Sequence, residues 1–273
     1  VRRIGEVSTL PHVALKVMEI ANDPNSGAAD MKRILEADAA LSARVLRCVN
    51  SSAYGVRMKI TNLQQAVAYL GLKQIRNLAM TAGVADMFRN DEAIGPYRRS
   101  ELWRHLVSVG ICARMVAMRL KFLNFEDAFL AGLLHDLGIV LEDQYAHRPF
   151  CQIVQSLAAG SSLVEVEREF LGFDHAVLGE CVAQDWGFPE PVRATIGYHH
   201  AAENYRGPST EVIRCVEIGN LLCTFKGIPS VGVKLTTGST QVLTALSLSR
   251  EDLAVLAGDL DRELALNADL FNM

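Results

Sequence analysis

Five of the seven histidines in this 273-residue chain stand near a carboxylate or at the edge of an apolar helical pattern. In "SELWRHLVSVG", Glu101 and His105 are four apart and project from one helix face. In "FLAGLLHDLGIVLED", residues 129–143, His135 and Asp136 are adjacent in the middle of an otherwise apolar helix. They stand about 100° apart around its axis and so flank one point in space. His175 opens a helix in "GFDHAVLG", and His199 with His200 closes another in "IGYHH". Imidazole nitrogens with a few carboxylate oxygens are the donor set of a borderline divalent metal, and a helical bundle supplies them by aiming facing helices inward. Each group also has a plainer alternative. A lone histidine on an amphipathic helix is commonly a hydrogen-bonded core residue, a terminal His-His pair is commonly exposed, and Asp136 can bond a main-chain amide or an arginine. The Asp136 alternative is the most demanding, since an unpaired buried carboxylate costs several kcal/mol. At the level of residue types both readings stand open.

A second polar group lies in "RVLRCVNSSAYGVRMK", where Arg44, Arg47, Arg57 and Lys59 surround Asn50. Read functionally, Arg44, Arg47, Asn50 and Arg57 line a pocket for an anion or a partner peptide. Read plainly, they form a solvated basic face with Asn50 capping a carbonyl. The six cysteines (Cys48, Cys112, Cys151, Cys181, Cys215, Cys223) show no C-x-x-C spacing and read as reduced core thiols.

The elements that must position these groups are helices. Nearly every segment has helical period and alternating β-branched runs are almost absent, so the fold class is all-α, a multi-helix bundle with an N-terminal helical subdomain. Asp38 reads as an N-cap, Thr61 with Gln64 as a capping box closed by Gly71, and Ser162 with Glu165 as another box. "RNDEAIGP", residues 89–96, joins charge, Gly and Pro, and divides the chain into an N-terminal subdomain (1–95), a helical core (96–228) and a C-terminal helical extension (229–273). Residues 1–100 carry 14 Lys/Arg against 9 Asp/Glu, and residues 101–273 carry 13 against 22, a polarity that fits two parts.

The net charge of −4 and the absence of a basic block argue against nucleic-acid binding. No apolar run approaches the roughly 18 residues of a membrane span, and "VRRIGEVSTLPHV" lacks the apolar stretch of a signal peptide, so the expectation is a cytoplasmic protein without membrane contact. A start at Val1 rather than Met suggests further sequence upstream.

The "HD" pair within an apolar stretch, with a histidine upstream and "H...HH" downstream, resembles the HD superfamily of metal-dependent phosphohydrolases. "LPHVALKVMEIANDPNS", "ILEADAALSARVLRCVNSSAYG" and "ITNLQQAVAYLGLKQIRNLAM", joined to "HDLG" and "WGFPEPV...HH", resemble the HDOD domain, the HD-related output domain of bacterial signalling proteins, from about residue 6 to residue 225. The resemblance implies a signal-transduction module that binds a protein or small ligand, with a fused sensor or receiver domain or a separate signalling protein as partner and a nucleotide as a candidate ligand. Its catalytic HD-GYP relatives hydrolyse cyclic di-GMP at a two- or three-metal site. Glu101, His105, His135, Asp136, His175, His199 and His200 fall where those enzymes place ligands to a divalent metal (Fe, Mn or Zn), with no organic cofactor. Three departures follow. Asn220 stands where an aspartate ligand is expected, Ile139 stands where an "HDxxK" lysine would meet substrate phosphate, and "AAENYRG" replaces the Gly-Tyr-Pro motif. The implied reading is a non-catalytic regulatory module with a degenerate metal site; the alternative is a metal-dependent phosphodiesterase.

Overall fold

The structure, a computed structural model, describes residues 12–89, 91–158, 160–235 and 240–272. Among them there is no strand, only a β-bridge between Ile94 and Tyr97, and the fold is all-α as its periodicity requires. The described residues form two compact units, one of residues 12–87 with 262–272 and one of residues 88–261.

The first unit holds α1 (His12–Asn22), α2 (Ala28–Glu36), α3 (Ala39–Val49), α4 (Leu63–Leu70) and α5 (Leu72–Ala85). Every residue of α5 from Ile75 to Ala85 is buried, and α1 and α3 pack against it. Asp38 caps α3, its carboxylate accepting from the Leu41 N–H at 2.9 Å. The next cap falls one residue later than the Thr61/Gln64 pattern suggests. Asn62 accepts from the Gln65 N–H at 2.9 Å, and Gln65 Oε1 accepts from the Thr61 N–H at 3.1 Å. Asn is the stronger N-cap, and it takes the position from its Thr neighbour. Gly71, at φ 82°, then ends α4 and opens α5 in one residue, a conformation that favours glycine.

The second unit is built around α6 (Arg99–Arg119), which packs along α7 (Phe125–Leu134). It continues through α8 (Leu137–Tyr145), α9 (His147–Ser156), α10 (Leu163–Leu171), α11 (His175–Asp185), α12 (Glu190–Tyr198), α13 (Thr210–Phe225), α14 (Thr240–Ala245) and α15 (Arg250–Leu266) as far as Asp261. α13 lies against both α6 and α7. The stretch expected as a separate extension, 229–273, is divided instead. Val231, Val242, Leu256 and Leu260 are buried in the unit of residues 88–261, whereas α16 (Ala268–Phe271) belongs with residues 12–87 and packs on α5.

The 129–143 stretch is not one helix. α7 stops at Leu134 and α8 starts at Leu137, so His135 and Asp136 form the joint between them. Asp136 sits at φ −101°, ψ 21°, off the helical values, and the His135 ring Nδ1 lies 2.8 Å from the Gly132 carbonyl. A uniform helix would aim the two side chains about 100° apart; the bend lets both face one point.

Candidate metal centre

Two close backbone approaches set the site. Gly110 on α6 meets Gly132 on α7 so tightly that a Cβ on either would lie 2.9 Å from backbone of the other helix. This contact leaves the His105 and His135 rings 5.3 Å apart between centroids. At Gly138 a Cβ would stand 1.9 Å from the His175 carbonyl oxygen, so only glycine admits the start of α11 there. Asp136, two residues earlier, reaches His175 at the start of α11 and His199 just past the end of α12. Its Oδ1 lies 3.3 Å from His175 Nε2 and 3.1 Å from His199 Nε2; its Oδ2 lies 3.2 Å from His135 Nε2 and 3.7 Å from His105 Nε2. His200, more exposed, brings Nε2 to 2.9 Å from that of His175.

Each buried ring is held from behind through Nδ1. The partners are the carbonyls of Ile228 for His105 (2.6 Å), Gly132 for His135 (2.8 Å) and Ile196 for His199 (2.9 Å), and the Glu167 carboxylate for His175 (2.6 Å). A carbonyl only accepts, so the first three rings carry their proton on Nδ1 and present an Nε2 lone pair. Those lone pairs converge on a carboxylate. Among the described residues, no hydrogen bond reaches His105 Nε2, His135 Nε2 or Asp136 Oδ1, although all three residues are buried. The buried lone pairs of His105, His135 and His199 face the Asp136 carboxylate at 3.1–3.7 Å and repel it unless a cation or a proton lies between them. The residues fit a divalent metal on this ground. Two sets of donors lie each within 4.8 Å of one another, Asp136, His175, His199 and His200 in one and His105, His135 and Asp136 in the other, with Asp136 common to both.

The electrostatics agree with the donor chemistry. Burial, then the neighbouring His135, pushes His105 down to about 4, so its ring is neutral at pH 7. Burial alone would raise Asp136, but the imidazoles of His135, His175 and His199 outweigh it and hold the carboxyl well below its usual range. His175 is pushed down by burial and up by Glu167 and Asp136, and the carboxylates win. A cation held at this ring would have to displace its proton. Behind it, Glu167 also accepts from the His175 main-chain N–H at 3.0 Å, and burial with the Glu167 charge pushes Glu142 up to about 9.

Not every expected donor arrives. Glu101 is exposed in the first turn of α6 and pairs with Arg104 at 3.6 Å, outside both donor sets. Four residues along a helix share a face but advance about 6 Å, enough to carry Glu101 beyond the cover that buries His105. Asn220 lines, with Asp136, His175, His199 and His200, a pocket of about 530 Å³, and its Oδ1 accepts from the Thr224 hydroxyl at 3.3 Å. Ile139 is fully buried. Glu167, Gly138 and the pocket residue Glu217, one turn before Asn220, were not singled out by the sequence. Glu167 carried the only signal that could have found it, a carboxylate eight residues before His175 across a helix turn.

In the first unit the basic group resolves differently. Arg44 donates to the Ala82 carbonyl at 2.9 Å and pairs with Asp86 at 3.2 Å. The Asn50 side chain donates to the carbonyls of Leu46 and Ile60 and accepts from the Ile60 N–H, each at 2.8 Å, stapling the loop after α3. Arg47 and Arg57 are exposed.

With this geometry in place, the HDOD domain profile matches residues 7–202, well over half the chain. The chain belongs to the HDOD family. An HDOD domain protein of unknown function from Geobacter sulfurreducens is 26% identical, with a TM-score of 0.79 over 98% of this chain and 96% of that one. A Shewanella amazonensis SB2B protein, named provisionally as a phosphohydrolase, shares the fold at 24% identity and a TM-score of 0.77, covering 99% of this chain and 96% of its own. An uncharacterized protein of Treponema pallidum (strain Nichols) is 26% identical over 229 residues, 82% of this chain; the HDOD chain spans 43% of that relative's length. No helix among the described residues is long and apolar enough to cross a membrane.

Proposed function

We propose that this HDOD chain is a regulatory output module that keeps a divalent-metal centre while lacking the phosphoryl-transfer machinery of HD hydrolases. The convergence of orphaned, tautomer-fixed Nε2 atoms on Asp136 carries the metal part of the reading. His175, His199 and His200 with Asp136 Oδ1 would hold one ion, and His105 and His135 with Oδ2 a second. Such an ion, when bound, supplies Lewis-acid charge. The protein's own part is to fix the tautomers from behind, with Glu167 orienting His175 as carboxylates commonly orient metal-bound imidazoles.

The pocket wall speaks against turnover. Stabilising a transferring phosphoryl group takes positive charge around its oxygens. Among the described residues lining the pocket the single Lys or Arg is Arg168, and it is committed to Asp174 through Nε at 2.8 Å and Nη2 at 2.7 Å. Glu165 adds a carboxylate to the same wall, Glu217 is paired with Arg214 at 2.8 Å, and the buried Ile139 supplies nothing to it. The pocket's volume lies in the range of small-ligand sites, which supports a small effector, a nucleotide among them, or a partner side chain as what the module reads. Six free cysteines suit a reducing cytoplasmic compartment, and fusion to or contact with a signalling protein supplies the input. The competing hydrolase reading draws on the retained donors and on the Shewanella relative's name.

Elemental analysis combined with turnover assays on cyclic di-GMP and bis(p-nitrophenyl) phosphate, after loading with Mn²⁺ or Fe²⁺, tests both. Bound metal without turnover is expected. Robust hydrolysis that disappears in Asp136→Ala would replace the regulatory reading with the enzymatic one.

A further inference from the structure

A second chemical constellation lies on α8 and α9, and the metal centre uses none of it. Cys151 Sγ is 3.6 Å from His147 Nε2, one helical turn before it. His147 Nδ1 is 2.9 Å from Asp143 Oδ1 and 3.2 Å from the Asp143 carbonyl. Asp143 is buried and anchored on its other oxygen by Arg99 Nε at 2.5 Å and the Tyr97 hydroxyl at 3.2 Å. Two acceptors on Nδ1 fix the proton there, so the lone pair on Nε2 faces the sulfur. A thiol, an imidazole base and a carboxylate that orients the base are the parts of an activated nucleophile.

The other thiols lack this setting. Cys48, Cys112, Cys215 and Cys223 are buried; Cys181 is half-buried like Cys151 and serves as an internal reference. Burial and the carboxylates of Asp143 and Glu92 push the Cys151 thiol up, so the sulfur keeps its proton at neutral pH and depends on a base to lose it.

We propose that Cys151 is the reactive thiol of this chain, with His147 as its general base and Asp143 as the group that orients the imidazole, and that its substrate class is hydroperoxides. Sγ attacks the terminal peroxide oxygen while its proton passes to His147 Nε2. The O–O bond breaks, and the departing alkoxide takes that proton from His147. The products are cysteine sulfenic acid and one alcohol, or water from hydrogen peroxide; sulfur loses two electrons and the peroxide gains two.

The test is site-resolved mass spectrometry of the full chain in two arms. Hydrogen peroxide with dimedone reads sulfenic acid formation. Iodoacetamide reads nucleophilicity without redox chemistry, which separates the thiol from any metal-derived oxidation. In both arms Cys151 is expected to react about 100-fold faster than Cys181, the low end of what a positioned base supplies. The exposed His147 leaves the buried Asp143 held by Arg99 and Tyr97 when it is replaced, and His147→Ala is expected to bring Cys151 down to the Cys181 rate while leaving Cys181 unchanged. Equal rates at the two cysteines in the unsubstituted protein, or an unchanged or faster Cys151 in His147→Ala, overturn the proposal.

Discussion

The histidine cluster between α6, α7, α11 and α12 and the basic group around Asn50 looked alike in sequence, each a set of polar residues in helical surroundings. The structure treats them in opposite ways. Around Asn50 each hydrogen bond described closes within the first unit: the carboxamide is spent on Leu46 and Ile60 and Arg44 on Ala82 and Asp86. Around Asp136 the satisfied atoms face away from the centre and the unsatisfied ones face into it. Polar residues that complete one another are scaffolding; polar residues that turn the same kind of atom toward one point form a donor set.

Four substitutions break or sharpen this contrast, taken from the largest effect to the smallest. Asp136→Ala removes the donor shared by both sets, and metal content measured after loading is expected to fall to near zero. The loaded protein is expected to lose about 3–5 kcal/mol of stability to denaturant, the scale seen when a buried charged partner is deleted. Glu167→Gln keeps the shape but weakens the hold on His175, and titration with a competing chelator is expected to report about 10- to 100-fold weaker metal binding. Asn50→Ala is expected to cost about 1–3 kcal/mol in urea unfolding, because two carbonyls and an N–H lose their partner, with metal content unchanged. Arg57→Ala, on an exposed side chain of the same group, is expected to stay within about 0.5 kcal/mol of the parent.

Glu142 gives a pH test of the network behind His175. Its folded pKa is raised to about 9 from 4.5, so the folded state binds the extra proton and the stability this contributes is complete below about pH 4.5 and is lost as pH rises toward 9. Glu142→Gln, neutral at every pH, is therefore expected to gain in melting temperature over the parent as pH rises through that window. A constant difference across it would show that Glu142 is ionised in the folded state.

Much of the fold was legible because a 3.6-residue period survives in nearly every segment, and caps such as Asp38 announce themselves locally. The donors were legible as types, while their convergence rested on resemblance, since spacing within one helix says nothing about which helices meet. Glu101 shows the limit of the i, i+4 rule, which fixes a face but not how far along the axis cover extends. The break at His135 and Asp136 escaped notice because the apolar period runs on through it, and the close approach of α11 to Gly138 leaves no mark in that period. Cys151 read as one of six core thiols, and only the turn from α8 into α9 aligns it with His147 and Asp143.

The most direct test is the metal stoichiometry of the purified protein together with its melting temperature before and after chelation. Two divalent ions per chain are predicted, and stripping them is expected to lower the melting temperature, because an ion that binds only the folded state stabilises it by about 2.7 kcal/mol at a free concentration 100 times its dissociation constant. A chain that binds no metal after loading, and melts at the same temperature with and without chelator, would contradict the account.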